Sequence, residues 1–222
     1  MNPPVTEAAT AVWSWTSIAT FVAGAAVAIF ADPVRRWIFR PALEVTFDTK
    51  TCVLHTATLD TLTRRDPHTG FDSKISILTE GRYLRVRVGA ARRITRRAVT
   101  GCRPYLIGVE VEEGNQFVPS IFVDTLRLAW SSQPEDDVAA PIDIPGDVAQ
   151  FVDVLSAGKD SGKTYSLHSV APLPFYCQPL FDPRPKRLRL TILVTSDEAK
   201  SQRIRVVFNW KGAWDTFEAY QG

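Results

Sequence analysis

The chain has 222 residues, of which 45% are hydrophobic and 23% charged, and its formal net charge is +2. This composition is typical of an ordered protein, and it excludes the disordered, collagen-like and disulfide-rich classes. The length accommodates one domain of ordinary size together with a short appendage.

The N-terminal region carries an apolar segment. Residues 8–31 contain no charged side chain, and as a helix these 24 residues would be roughly 36 Å long. That length crosses a hydrocarbon core of about 30 Å. Trp13 and Trp15 near one end and Trp37 beyond the other fit the two headgroup levels. The sequence therefore predicts a transmembrane helix at residues 11–31, preceded by a short tail at residues 1–10.

The alternatives for this segment are a cleaved signal peptide and a buried core helix, and a core helix would be shorter and would show a polar face. A signal peptide begins with basic residues, but residues 1–10 contain no Lys or Arg. The Ala-Gly-Ala triplet at residues 23–25 nevertheless resembles a cleavage site. The absence of a basic start favours an uncleaved anchor.

The distribution of basic residues predicts the orientation of this anchor. Arg35, Arg36 and Arg40 follow the apolar run, in a basic juxtamembrane segment at residues 32–41. Basic residues beside a span stay on the cytoplasmic side, so we expect an inner-membrane protein with its N-terminus outside and its bulk in the cytoplasm. An odd number of cysteines without a CxxC pair agrees with buried, unpaired thiols in a reducing compartment. These cysteines are Cys52, Cys102 and Cys177.

Small residues recur every four positions in the predicted helix, at Thr16, Thr20, Gly24 and Ala28. Such a stripe lets two helix backbones approach closely. The spacing predicts a homo-oligomer formed through the helix, in contact with the lipid bilayer.

Residues 42–222 show the pattern of an all-β domain. Short runs of alternating hydrophobic residues are separated by turn residues, as in YLRVRV and RLRLTILV. This pattern favours an antiparallel β-sandwich, with residues 91–99 as either a turn of helix or a basic loop. The predicted strands are 43–47, 84–88, 104–112, 121–130, 149–156, 164–169, 188–194 and 203–210.

Two segments carry a resemblance to a known fold. The run YLRVRVGAARRITRRAVTGCRPYLIGVEVEE resembles the hairpin of immunoglobulin-like, adhesion-type sandwiches, with Gly89-Ala90-Ala91 in place of an Asn-Gly turn. PIDIPGDVAQFVDVL resembles the Pro-Gly turn and the strand after it in such domains. The whole layout is similar to bacterial single-pass, membrane-anchored proteins that carry an immunoglobulin-like β-sandwich of unknown function. The resemblance implies a fold and leaves the function open.

The segment AGKDSGKT at residues 157–164 satisfies a relaxed phosphate-binding loop pattern through Gly162, Lys163 and Thr164. Such a loop needs a strand before it and a helix that begins at the Lys-Thr pair. A strand pattern precedes the segment, but a strand pattern and three prolines follow it. We therefore favour a glycine-rich hairpin turn, with nucleotide binding as the alternative.

Arginines are concentrated in one part of the chain. Residues 82–103 contain eight arginines and no acidic residue. Alternation in YLRVRV would place Arg85 and Arg87 on one face of a strand. Such a surface could bind anionic lipid, nucleic acid or a nucleotide, or a protein, or it could pair with acids of the same chain such as Glu110, Glu112, Glu113 and Asp136. The residues predicted to meet an anionic ligand or membrane surface are Arg85, Arg87, Arg92, Arg93, Arg96 and Arg97.

The sequence offers no catalytic or metal-binding motif. His55, His68 and His168 are far apart and lack ligand spacing, and no nucleophile motif of a hydrolase is present. We therefore predict no enzyme activity, no cofactor and no metal. The prediction is a membrane-tethered binding or ligand-sensing module facing the cytoplasm, which meets anionic lipid or a protein at the inner leaflet, with nucleic acid disfavoured. The alternatives are a nucleotide-binding protein that uses the AGKDSGKT loop, or a membrane-perturbing effector gated by a ligand of the sandwich.

Overall fold

The computed structural model divides the chain into two compact units, residues 1–40 and residues 41–222. It describes residues 20, 22, 24, 25, 40–65, 72–91, 97–133, 139–159, 165–182 and 184–222, without the side chains of residues 58–65 and 72–77. Most of the predicted span at residues 11–31 therefore lies outside the described residues, and its four described residues are helical. Within the described residues, no helix has the length and apolar character needed to cross a bilayer.

The second unit is built almost entirely of strands. In chain order its elements are β1 (Leu43–Thr46), α1 (Thr49–Cys52), β2 (Val53–Arg65), β3 (Asp72–Ala90), β4 (Val99–Glu113), β5 (Gln116–Pro119), β6 (Leu126–Arg127), β7 (Ala129–Trp130), β8 (Ile142–Ile144), β9 (Gln150–Gly158), β10 (Ser166–Leu167), a 3-10 helix (Phe175–Phe181), β11 (Lys186–Thr195), β12 (Gln202–Trp210) and β13 (Glu218–Gln221).

These strands form two antiparallel sheets. The first sheet has the order β1-β3-β9-β10, with β2 also paired to β3 and β7 also paired to β9. The second sheet has the order β13-β12-β11-β4-β5, with β6 and β8 also paired to β4. The strand pairs described within both sheets are antiparallel, so the prediction of an all-β antiparallel sandwich is confirmed.

The core forms between the inner faces of the two sheets, because alternation buries every second residue of a strand. Leu84, Val86 and Val88 of β3 are fully buried, and the alternate residues of β11 from Leu188 to Val194 are buried as well. Apolar residues of both sheets belong to one continuous cluster. The three cysteines are free and buried within it, as predicted.

The hairpin expected for residues 83–113 is wrong. β3 pairs with β1, β2 and β9 in the first sheet, whereas β4 pairs with β11 and its other neighbours in the second. Alternation predicts that a segment is a strand, but it does not select the partner strand. The expected strand at residues 121–130 is also divided, because β6 pairs in the second sheet and β7 in the first.

A long two-stranded ribbon leaves the first sheet. β2 pairs with β3 from Val53–Leu84 to Arg65–Asp72, but β9 pairs with β3 only between Gly81 and Val88. Nine pairs of the hairpin, residues 57–65 with residues 72–80, therefore extend beyond β9. β2 and the first half of β3 are absent from the predicted strands, because Thr interrupts the hydrophobic alternation of VLHTATLDTLTRR in β2.

The two ends of the sandwich differ. The chain enters at residues 41 and 42, and the carbonyl of Ala42 accepts a hydrogen bond from the Ala91 N–H at 2.7 Å. Ala91, the first residue after β3, therefore lies beside the entry point of the chain. We call this end the proximal end, and the opposite end, from which the ribbon projects, the distal end.

The aromatic core yields a stability prediction. Phe208 is fully buried, and its ring centroid lies 5.0 Å from that of Tyr165 and 5.2 Å from that of Phe217. We expect Phe208→Ala to lower the free energy of unfolding of residues 41–222 by about 3–5 kcal/mol, because it leaves a cavity. Urea denaturation measures this change.

Phe175 provides the matched control, because its side chain is 84% exposed. Phe175→Ala should change the same free energy by no more than about 0.5 kcal/mol. Equal losses in the two variants would contradict the placement of the core.

Candidate functional site

The predicted basic surface is only partly described. Arg85 and Arg87 lie on the outer face of the first sheet, opposite the buried residues of β3. Arg87 is exposed, and so is Arg97 just before β4. Arg85 is half-buried, and its Nε lies 2.6 Å from Oδ1 of Asp153. The remaining predicted members, Arg92, Arg93 and Arg96, lie outside the described residues.

Neighbouring arginines of the same cluster are engaged within the domain. Arg82 donates to the carbonyl of Asp215, and its guanidinium lies 4.7 Å from the Phe217 ring centroid. Arg103 forms an ion pair with Asp197 at 2.8 Å. Intrachain pairing therefore accounts for part of the cluster.

Two of the four acids proposed for that pairing have other partners. Glu110 pairs with Arg189, and Glu112 pairs with Arg187, both on β11. Glu113 is exposed at the end of β4, and Asp136 lies outside the described residues. In the described part of the chain, no ion pair involves Arg87 or Arg97. We call the exposed residues Arg87 and Arg97, which flank the connection from β3 to β4, the basic surface.

Next to Arg87, polar side chains form a connected network on the outer face of the first sheet. The carboxylate of Asp153 on β9 accepts hydrogen bonds from Nε of Arg85 at 2.6 Å and from Oγ of Ser131 at 2.7 Å. Arg85 and Asp153 are directly paired in the sheet register. The members of this outer-face network are Tyr83, Arg85, Ser131, Asp153, Ser156 and His168.

His168 forms the other half of the outer-face network. Its Nε2 lies 2.7 Å from Oγ of Ser156, and its ring stacks on Tyr83 with centroids 5.5 Å apart. The guanidinium of Arg85 lies 5.0 Å from the Tyr83 ring centroid, so the tyrosine joins the two halves. Such cation–π contacts stabilise a guanidinium that is partly removed from water.

The environment of His168 determines its protonation. Burial lowers the pKa of the imidazole, the Arg85 charge adds to this effect, and the Asp153 carboxylate opposes it. The imidazole is therefore neutral at pH 7. A neutral imidazole beside a serine hydroxyl is the first element of a nucleophilic dyad, but the carboxylate that would orient it accepts hydrogen bonds from Arg85 and Ser131.

The described contacts give the outer-face network a structural role. Ser131 follows β7 and His168 follows β10, and both bond to side chains of β9. β7 and β10 have only two residues each, so their backbone ladders alone hold them weakly. The network fastens both short strands to β9.

The AGKDSGKT segment connects two antiparallel neighbours. β9 ends at Gly158, and β10 returns along β9 with Ser166 paired to Ser156. Gly162, Lys163 and Thr164 themselves lie outside the described residues. The segment is followed by the buried Tyr165 and then by β10, where a phosphate-binding loop would be followed by a helix.

The other predicted sites are separate from this surface. Thr20 and Gly24 of the small-residue stripe are helical, whereas Thr16 and Ala28 lie outside the described residues. His55 contacts Trp214, with ring centroids 5.3 Å apart, His168 belongs to the outer-face network, and His68 is not described. The structure therefore does not bring the described histidines together.

No protein-family model matches the chain, and no curated protein or solved structure is significantly similar to it. Ser131, Asp153 and Ser156 are not among the predicted site residues, because only the fold makes them neighbours of Arg85. The one local signal is Asp153 itself, an acidic residue within the apolar strand FVDVL.

His168 yields a pH-dependence prediction. Its pKa in the folded state lies below the ordinary value of 6.5, so the unfolded chain binds a proton more readily than the folded chain. The free energy of unfolding should therefore fall as the pH drops below about 6.5, by at most about 1.4 kcal/mol per pH unit. Urea denaturation of residues 41–222 at pH 7.5, 6.5 and 5.5 measures this slope.

The control is His168→Gln, which keeps a polar group beside Ser156 but does not titrate. The variant should show a shallower pH dependence than the parent between pH 6.5 and 5.5. Parallel curves for the two proteins would contradict a buried, neutral imidazole.

Proposed function

We propose that residues 42–222 form a binding module that the predicted helix at residues 11–31 holds at the cytoplasmic face of a membrane. In this proposal the basic surface docks on anionic lipid. The observation that carries it is the hydrogen bond from Ala91 to Ala42, since it joins the start of the arginine-rich connection to the entry point of the chain.

Chain length supports this arrangement. Residues 32–40 link the predicted helix to the domain, and nine extended residues span at most about 30 Å. The proximal end would therefore stay within that distance of the bilayer surface. Arg35, Arg36 and Arg40 in this linker add positive charge near the same lipid headgroups.

The exposure of two arginines supports the binding of this surface to an anionic membrane. Arg87 and Arg97 keep their side chains in solvent, and each basic residue near an anionic leaflet contributes about 1 kcal/mol. Two acids at the proximal end are already engaged, because Asp143 accepts a hydrogen bond from Gly101 N–H at 2.9 Å and Asp197 pairs with Arg103. Their charges oppose lipid binding less than free carboxylates would.

The same proposal gives the sandwich an immunoglobulin-like strand order. Support comes from the connections β3 to β4 and β8 to β9, each of which crosses from one sheet to the other. Such crossings occur in the Greek-key connections of immunoglobulin-like domains. The loops of such a domain would then be available to a protein partner or ligand that is itself concentrated at the membrane.

Vesicle binding tests the basic surface. We expect Arg87→Gln with Arg97→Gln to weaken the binding of residues 41–222 to vesicles of phosphatidylcholine and phosphatidylserine. At about 1 kcal/mol for each arginine, the dissociation constant should rise roughly 30-fold. Replacing Arg92, Arg93 and Arg96 as well should abolish binding. Cosedimentation at low and high salt measures these effects.

The matched control replaces Arg203 and Arg205, two exposed arginines of β12 in the second sheet, with Gln. It removes the same charge from another surface, and it should change the dissociation constant less than threefold. Equal weakening by both pairs would mean that net charge alone drives the binding, which would reject a specific surface.

Labelling of one engineered cysteine tests the tether. The native cysteines are buried, whereas Val123 is 83% exposed, so Val123→Cys in the full chain provides an accessible thiol. A membrane-impermeant maleimide should label it only after the inner membrane is permeabilised. Labelling in intact cells would overturn the cytoplasmic location.

A further inference from the structure

We propose that the projecting ribbon of β2 and β3 is a self-association surface. In this arrangement, the open edge of β2 pairs antiparallel with β2 of a second copy of this chain. The contact is centred on Leu62 and is separate from the predicted helix.

The ribbon has the backbone of an incomplete sheet. In the described part of the chain, β2 pairs only with β3, and the nine outer pairs of the hairpin have no third strand beside them. An isolated two-stranded hairpin is marginally stable in water. Unpaired N–H and C=O groups along such an edge form a template for another strand.

Symmetry restricts the registers available to β2. In an antiparallel pair of identical strands related by a twofold axis, residues directly opposite each other have their side chains on the same face of the sheet. The axis therefore passes midway between the two copies of one residue. A centre at Leu62 places Asp60 of each copy opposite Arg64 of the other and Thr61 opposite Thr63. Opposite charges and threonine pairs at facing positions both stabilise neighbouring strands.

Other centres along the outer part of β2 lack this complementarity. A centre at Asp60 would place two aspartates opposite each other, and a centre at Arg64 would do the same with two arginines. Centres at Thr61 and Thr63 bring no Asp opposite an Arg within the strand. The charges therefore select the Leu62 register and disfavour slippage to its charged alternatives.

The other edge of the ribbon is less suited to this pairing. The carbonyl of Glu80 on β3 already accepts a hydrogen bond from Lys159 N–H at 2.8 Å. A symmetric pair centred on Ser76 would also place Asp72 opposite Glu80, which are like charges. The free edge of β2 is therefore the better site for a second copy.

The geometry of the pair is compatible with one membrane. A twofold axis perpendicular to the first sheet turns the outer face of that sheet to the same side in both copies. Arg87 lies on this face, so a dimer turns both copies of Arg87 to the same side of the sheet, whereas the antiparallel pairing places the two proximal ends at opposite ends of the dimer. The relation to a membrane rests on the proposed function, whereas the ribbon contact does not.

Disulfide trapping tests the contact in the full chain, solubilised in mild detergent. Leu62→Cys places two thiols opposite each other, within the Cα separation of about 4.4–6.8 Å that a disulfide needs. Mild oxidation should therefore yield a covalent dimer on a non-reducing gel. Leu78→Cys on β3, which is 72% exposed, should stay monomeric because another strand separates it from the contact. The native cysteines are buried and should contribute no background.

Charge reversal tests the register. Asp60→Arg in the Leu62→Cys chain places arginines opposite each other and should lower the yield of dimer roughly tenfold. Adding Arg64→Asp restores opposite charges and should restore the yield. Within one chain the two positions are in register with Ile77 and Ser73, which carry no charge.

Each alternative outcome overturns the proposal. Absence of the Leu62→Cys dimer excludes the contact, and equal yields with and without Asp60→Arg exclude the register. Association through the helix gives a different pattern, in which Gly24→Ile removes the dimer and Asp60→Arg has no effect. Vesicle binding by the basic surface is unaffected by these results, so the two proposals fail separately.

Discussion

Alternation along β3 is the constraint on which the rest of the structure depends. Because Leu84, Val86 and Val88 face the core, Tyr83, Arg85 and Arg87 must face outward. The same strand pairs with β1 and β9 near the proximal end and with β2 along the ribbon. The core, the outer-face network, the basic surface and the ribbon therefore all depend on one register.

The outward arginines Arg85 and Arg87 of β3 differ in their burial. A guanidinium stays charged at every relevant pH, so one that is partly removed from water needs a partner. Arg85 has this partner in Asp153, and their side chains are only 20% and 14% exposed. Arg87, two residues further along, remains in solvent and keeps its charge available to an anion. One basic cluster in the sequence thus contains an arginine engaged within the domain and an arginine exposed to solvent.

Local patterns predicted the strands better than they predicted their partners. The clean alternation of YLRVRV and RLRLTILV identified β3 and β11, because one side of each strand is buried and the other is polar. The alternation in β2 is interrupted by threonines, so its strand was missed. The sequence around the crossing from β3 to β4 resembles a hairpin, but the two strands lie in different sheets. Strand pairing depends on contacts between distant segments, and a local sequence pattern contains no information about them.

The outer-face network could not be predicted from local sequence either, because its members come from distant parts of the chain. Arg85 and Asp153 are separated by 68 residues, and the register of β3 with β9 brings them together. A residue is skipped in this register between Leu84 and Arg85, where β9 is bulged. Bulges shift which side chains face each other, and sequence alternation alone does not reveal them. The sequence therefore identifies Arg85 as a candidate site residue, but it does not identify Asp153 as its partner.

Weak surfaces become effective when they are linked. Two exposed arginines contribute about 2 kcal/mol toward an anionic leaflet, which by itself is a loose contact. In the proposed arrangement a tether would confine the domain to the membrane, so docking would become an intramolecular step with a high effective concentration. A ribbon-linked pair would couple two copies of Arg87 on one side, because both copies turn the same face of the first sheet in that direction. Neither the lipid contact nor the ribbon contact would then need high affinity by itself. A ligand that separated the two ribbons would weaken the binding of both basic surfaces to the membrane.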